Sequence, residues 1–209
     1  MRPPIKVVGI DLAGSSRSWS GWAFISDDKL VVKVLRSDGE ILQETFRVSP
    51  LLVAIDAPLT TPSKGIARPV DLDMRRKGYP VLPPLFPGMK DLTNRAIRLK
   101  NEVVQKGIEV VEVHPLSSRR ALALPLKEWE KLREALKLMG FKGDIDRELN
   151  QHELDAVVCA YTGSLYLINE VEIVGDREAF IVLPKPGKPL TMSEVIFRWR
   201  SQQTGLRRL

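Results

Sequence analysis

Apolar and polar positions along the chain predict a mixed α/β fold. Lys6–Leu12 is a continuous apolar run that carries an acid near its end, the pattern of a strand buried on both faces. Gly14 and the serines at 15, 16 and 18 predict a turn. Two β-rich stretches follow, Trp19–Ser26 and Leu30–Arg36, with Asp27-Asp28 between them as a hairpin signal. Glu40–Val48 predicts a short helix, and Leu51–Asp56 a second buried strand that again ends in an acid. A helix over Lys90–Lys106, closed by Gly107, leads to a third buried strand, Ile108–Val113, which carries Glu112. Pro115–Leu124 and Lys127–Met139 predict helices, separated by a turn-rich break over Gly140–Asp146 from a long apolar helix, Asn150–Asn169. Val171–Val174 and Ala179–Leu183 predict a C-terminal hairpin, and the tail from Thr191 is polar and basic. Strands alternating with crossover helices imply a five-stranded sheet in the order 3-2-1-4-5. Its first three strands form an antiparallel meander, and the strands ending in Asp56 and Glu112 run parallel to the first.

Residues 58–87 break this rhythm. Seven prolines fall there, interleaved with Lys64, Arg68, Arg75 and Arg76, and that density leaves room only for about two helical turns over Val70–Lys77. An insertion of this length inside a domain is uncommon and usually functional. Its basic residues read either as phosphate contacts arching over a site or as a solvated surface. The whole chain, residues 1–209, reads as a single domain with its core over about 6–169, this insertion, and an extension over 170–209.

Composition narrows the class. The chain is 44% hydrophobic and 28% charged, an ordinary globular balance, and its net charge of +6 leans modestly toward polyanionic partners. Its single cysteine, Cys159, has no internal partner and sits in the apolar run Ala156–Ala160, as a buried thiol would. Met1–Ile5 lacks the apolar core of a signal peptide, and Leu154–Ile168, interrupted by Asp155, is too short to span a bilayer. The expectation is a cytoplasmic protein with no membrane partner. Arg198, Trp199, Arg200, Arg207 and Arg208 combine base with one aromatic; they suit a nucleic-acid strand, or equally a solvated tail. Trp19 and Trp22 read as packing residues.

Three buried strands each present a carboxylate at or near the C-terminal end: Asp11, Asp56 and Glu112. In open α/β sheets ligand sites form outside those ends. One acid after a strand is explained by turn capping, but three converging acids repel and need a cation or a shared proton. The long helix adds His152 and Asp155, three residues apart and so on one face. Asp155 either caps that helix or is delivered by it to the strand acids. Carboxylate oxygens suit Mg2+ or Mn2+, whereas zinc would want more histidine or cysteine than this chain has. His152 is placed to be an outer ligand or proton carrier. His114, just before Pro115, reads as structural.

At these residues the chain resembles a known group. Gly9-Ile10-Asp11 with the hairpin beyond it looks like the opening of the ribonuclease H-like superfamily. Ile55-Asp56-Ala57-Pro58, Val111-Glu112-Val113-His114-Pro115 and His152-Glu153-Leu154-Asp155-Ala156 together resemble an uncharacterised family of predicted nucleases with that fold. The His-x-x-Asp spacing is also similar to the Holliday-junction resolvase branch. The resemblance covers about residues 6–169. It implies metal ligation by Asp11, Asp56 and Asp155, with Glu112 or His152 completing the site, and hydrolysis of DNA or RNA.

Two rivals remain open. One is a nucleic-acid-binding protein of the same fold without turnover. The other is an actin-like ATPase-type phosphotransferase, whose phosphate loops would correspond to Asp11-Leu12-Ala13-Gly14 and Asp56-Ala57-Pro58-Leu59. There Pro58 stands where backbone amides should approach phosphate.

Overall fold

The computed structural model describes residues 3–205, and its strands and helices follow the apolar pattern closely. β1 (Lys6–Asp11), β2 (Ser20–Ser26) and β3 (Lys29–Leu35) form an antiparallel meander. β4 (Leu52–Asp56) pairs parallel with β1, and β5 (Glu109–Glu112) parallel with β4. The register sets Asp11 directly beside Asp56, and Ile55 beside Glu112.

Among the described residues the main sheet has six strands, ordered β5-β4-β1-β2-β3-β6, where the pattern predicts five. The addition is β6 (Lys142–Gly143), two residues that pair parallel with the start of β3 inside the expected turn-rich break. A strand so short has no periodicity to read.

Successive side chains of a strand point to opposite faces, and here each face has its own core. Val7, Ala23, Ile25, Leu52, Ala54 and Val111 pack with α6 (Gln151–Leu167). Val8, Ile10, Trp22, Val53 and Ile55 pack with α1 (Asp38–Val48) and α3 (Lys90–Gln105). The indole of Trp22 is satisfied by Thr45, whose Oγ1 accepts from Nε1 at 3.1 Å. Trp19 instead lies exposed, with the Arg36 guanidinium 3.8 Å from its ring centre.

α6 is buried without a break from Glu153 to Leu165, which explains an apolar run with little amphipathic character. Among the described residues no helix is long and apolar enough to cross a membrane. The helix lies almost on the sheet backbone. A Cβ at residue 9 would stand 2.2 Å from Ala156 O, and one at residue 21 would stand 1.9 Å from His152 O. Glycine at both positions is what lets the helix come so near. Its start is closed by a reciprocal cap. Asn150 Oδ1 accepts from Glu153 N at 3.0 Å, and Glu153 Oε2 accepts from Asn150 N at 2.9 Å. Asp155 is therefore not the cap.

The insertion is anchored rather than free. Its helix α2 (Pro69–Arg76) and Val81 share a small apolar core with Ala121 of α4 (Pro115–Ala121) and with the hairpin β7 (Val171–Gly175) and β8 (Phe180–Pro184). The segment after Thr191 is also not a solvated tail. It forms α7 (Met192–Gly205), which buries Met192, Val195 and Trp199 in the main core, and Trp199 Nε1 donates to Pro3 O at 3.1 Å. Met192, Val195, Ile196 and Trp199 recur at helical spacing, a pattern diluted by the charges between them. Arg198 and Arg200 are engaged by Glu170 and Asp27, and Trp199 is buried, so these three do not present a stacking platform. Arg207 and Arg208 lie outside the described residues.

The helix–sheet approach predicts a steric penalty. Gly21→Ala should lower stability by about 1–3 kcal/mol or more, because neither backbone can yield locally. Urea unfolding measures it; a change within about 0.5 kcal/mol, as for a surface site, would show that α6 is not held there.

Candidate functional site

β1 and β4 end side by side, so Asp11 and Asp56 emerge together, and the first turn and a half of α6 carries His152 and Asp155 to the same edge. Asp11 Oδ2 meets His152 Nδ1 at 2.7 Å. Asp155 is 8% exposed and its Oδ1 has no hydrogen-bond partner. Arg119 of α4 supplies its nearest cation, with Nη2 at 3.4 Å.

The electrostatics of the three aspartates follow from this crowding. Burial pushes Asp56 well above the usual carboxylate range, and the charges of Asp11, Asp155 and Glu112 push it further, against Arg119. Burial also raises Asp155, to about 7; Arg119 pulls it down and Asp11 pushes it up. Asp11 is raised by burial too, although the His152 hydrogen bond and charge oppose the shift. These carboxylates are held together at a cost that a cation or a proton would relieve.

Glu112 is placed beside them but is committed elsewhere. It is 6% exposed, its Oε1 and Oε2 take Arg68 Nη2 and Nη1 at 2.6 and 2.7 Å, and Oε2 also accepts Leu59 N at 2.8 Å. Arg68 corrects its reading as a substrate contact. It is 2% exposed, and Asp71, Glu112 and Thr60 occupy its donors. Bidentate pairing on both edges makes it the bolt that fixes the insertion to β5. Arg75 reaches Val81 O from Nε and Nη2, both at 3.2 Å, and Arg76 pairs with Asp73 at 2.6 Å. Lys64 is exposed.

Asp11, Asp56 and Glu112 border a cavity of about 260 Å³. Its other wall is apolar, with Leu12, Pro58, Val81, Leu82, Met89 and Leu92, so the insertion lines one side. His114 also borders it. The ring contacts Ser117 Oγ through Nδ1 at 2.6 Å, and burial with the nearby Arg119 and Arg120 charges lowers its pKa to about 4, so it is neutral at pH 7. The turn after β1 is closed on itself: Ala13 N donates to Ser20 Oγ at 3.1 Å, and Ala13 O accepts from Arg95 Nη1 at 2.7 Å. A phosphate loop would need such an amide free.

The donor chemistry suits a hard cation: Asp56 faces the cavity, and Asp155 Oδ1 is a buried oxygen without a hydrogen bond. The side chains are not gathered around one point, however. Among the described residues no group of three or more His, Cys, Asp or Glu is arranged to hold a metal ion. His152 and Arg119 stand at the acids instead. Arg119 is the residue that the sequence pattern misses. Arg119-Arg120 reads as ordinary surface charge on a short helix, and only the excess of acids nearby signals that a buried cation is required.

No protein-family model matches the chain, and the search of curated proteins finds no match. Among solved structures the chain is similar to Thermus thermophilus RuvC in complex with a Holliday junction substrate, with TM-score 0.45 and 14% identity over 75% of this chain and 90% of that one. A second Thermus thermophilus RuvC structure gives TM-score 0.45 and 14% identity over 74% and 90%.

Two measurements test the charges. Asp155, with a folded pKa of about 7 above an ordinary value near 4, favours folding most below about pH 4, and that contribution is lost as pH rises through about 7. At about 1.4 kcal/mol per unit the loss reaches roughly 4 kcal/mol. Without divalent cation, the urea midpoint should fall between pH 5 and pH 8, and Asp155→Asn should flatten the fall; the same slope in both proteins would refute the assignment. Arg68→Ala should cost about 3–5 kcal/mol by stranding Glu112 and Asp71, whereas Lys64→Ala should leave the midpoint unchanged.

Proposed function

We propose that the protein is a divalent-metal-dependent hydrolase of phosphodiester bonds in nucleic acid, DNA or RNA, with Asp11, Asp56 and Asp155 holding Mg2+ or Mn2+. The observation that carries this reading is the placing of Asp11 and Asp56, from two adjacent parallel strands, side by side at the edge of a cavity, with the charge of Asp155 on α6 adding to their repulsion. Such an arrangement is unfavourable as a purely structural device and is suited to collecting a cation. A bound ion would supply Lewis acidity to a phosphoryl oxygen.

The chain's own groups account for the rest. Asp11 accepts from His152 Nδ1, which leaves Nε2 as the basic nitrogen on an exposed ring. From there it can take a proton from the attacking water. Glu112 acts through Arg68, holding the cavity wall in place. Lys64, Arg75 and Arg76 on the insertion are the proposed contacts to the phosphate backbone, and binding through them weakens as salt rises.

A second reading, binding of nucleic acid without turnover, is favoured by one observation: Arg119 already stands at Asp155, and among the described residues no three candidate ligands converge.

One assay separates them. Single-stranded, duplex and branched DNA and RNA are incubated with purified protein in Mg2+, Mn2+ or chelator. Cleavage should require the metal, and Asp11→Asn, which loses both a ligand and the partner of His152, should reduce it by about a hundredfold or more. His152→Ala should lower turnover while leaving metal binding nearly intact. Binding without cleavage under every condition, or undiminished cleavage by Asp11→Asn, would give the second reading the field.

A further inference from the structure

Of the four tryptophans, Trp19 is the exposed one. Trp22 and Trp199 are buried, and Trp129 of α5 (Trp129–Leu138) is half-buried, with Arg119 Cζ 4.5 Å from its ring centre. Trp19 remains 48% exposed although the Arg36 guanidinium lies 3.8 Å from its ring centre. Leaving so large a ring in water forgoes the burial that usually places a tryptophan, so its position needs a reason.

Both residues sit at the edge where the strands deliver their acids. Ser20 pairs with Leu35, so Trp19 and Arg36 are the next opposed positions beyond β2 and β3. Asp11 pairs with Gly21, two positions from Trp19, or roughly 7 Å along the strand at about 3.3 Å per residue. The pair is also held firmly. Arg95 of α3, 2% exposed, donates from Nη2 to Arg36 O and from Nη1 to Ala13 O, both at 2.7 Å. Its Nη1 also lies 3.5 Å from Ser20 Oγ, and its Nε meets Asp38 Oδ1 at 2.6 Å. One buried cation thus fastens the turn after β1 and the backbone on either side of the ring.

A polar groove of about 320 Å³ opens at the same anchor, lined by Ser15, Ser16, Asn94 and Arg98. It adjoins the acid cavity: a Cβ on Gly14, in the groove, would stand 3.9 Å from Leu92 Cβ, and Leu92 lines the cavity. Arg17, Arg36 and Arg98 are exposed, and among the described residues their guanidinium groups make no hydrogen bond or salt bridge. Of the nearby acids, Asp38 is taken up by Arg95, and Glu40 Oε2 accepts from Arg36 N and Ser37 N at 2.9 Å. Asp91 is the remaining acid of the groove, against three arginines.

An exposed ring backed by a guanidinium and flanked by unengaged arginines suits a flat ligand that carries negative charge. A cationic ligand seeking the same ring would meet three positive charges. We propose that Trp19 and Arg36 form a stacking platform for an unpaired nucleobase, with Arg17 and Arg98 on the flanking phosphates, so that the strand led to the acid cavity is single-stranded there. This deepens the reading above by naming the substrate class, and rests on it only for nucleic acid being the ligand.

The test is binding of labelled oligothymidylate and oligouridylate of about 12 nucleotides, a length within the span such sites cover, in chelator. Anisotropy measures affinity, and tryptophan emission reports stacking. The parent should bind at least one of these single strands more tightly than the matching duplex, with its emission quenched. Trp19→Ala should weaken binding about five- to hundredfold, whereas Trp19→Phe should keep most of the affinity and lose most of the quench. Arg98→Gln should flatten the slope of log affinity against log salt by about 0.7 and leave the quench in place. No binding of either strand, duplex bound as tightly as single strand, equal affinity in parent and Trp19→Ala, or an undiminished quench in Trp19→Phe would each overturn the proposal. If Trp19→Ala does not fold, the quench in Trp19→Phe decides alone. The hydrolase reading fails separately. Trp19-dependent binding with no cleavage in Mg2+ or Mn2+ would remove that reading and leave the platform; metal-dependent cleavage with binding indifferent to Trp19 would do the reverse.

Discussion

The site exists because one helix lies almost in contact with the backbone of two strands. Gly9 and Gly21 leave no side chain between β1–β2 and α6, and the helix answers with Ala156, Ala160 and Gly163 along its inner face. Ordinary helix–sheet packing keeps a full layer of side chains between the two. Here the layer is missing near the helix start, and the missing thickness is what lets His152 reach Asp11 and brings Asp155 within the field of the strand acids. The Asn150–Glu153 cap completes this by satisfying the first turn from within, so no other side chain at that end is diverted to its amides.

Charge is handled in two different ways a few residues apart. Glu112, Arg68 and Asp71 form a closed group in which the guanidinium meets two carboxylates edge-on and a backbone amide takes part. Asp11, Asp56 and Asp155 form an open one, short of positive charge and with hydrogen-bonding capacity unused. The closed group fastens the insertion to the sheet; the open one leaves negative charge unmatched. Both sets look alike in sequence, as acids and arginines near strand ends. What separates them is whether the geometry pairs each oxygen with a donor.

The strands, their parallel and antiparallel relations and the placement of Asp11, Asp56, His152 and Asp155 at one sheet edge were legible because each rests on a repeating signal: period-two or continuous apolar runs for the sheet, and a three-residue helical spacing for His152 and Asp155. β6 was not legible, since two residues carry no period. α7 was hidden because Glu194 and Arg198 fall between the apolar residues of its short buried stripe, and Arg200 follows them. Arg68 misled for a different reason. A basic residue in a proline-rich stretch has the composition of a phosphate contact, but its partners Asp71 and Glu112 lie 3 and 44 residues away, and only the second distance decides the role. Arg119 was invisible on the same ground: its meaning depends on a contact 36 positions down the chain.

The closeness of α6 to the first hairpin also orders events during synthesis. β1 and β2 are made well before the helix that covers Val7, Gly9, Gly21, Ala23 and Ile25, which begins only after residue 150. Until then that apolar face has no cover from α6, and the strands bearing Asp11 and Asp56 stay open on one side. Topologies dominated by such distant contacts close slowly and expose sticky surface on the way. Until α6 is made, that face of the sheet therefore stays exposed, and Asp155 can join Asp11 and Asp56 only after both strands exist.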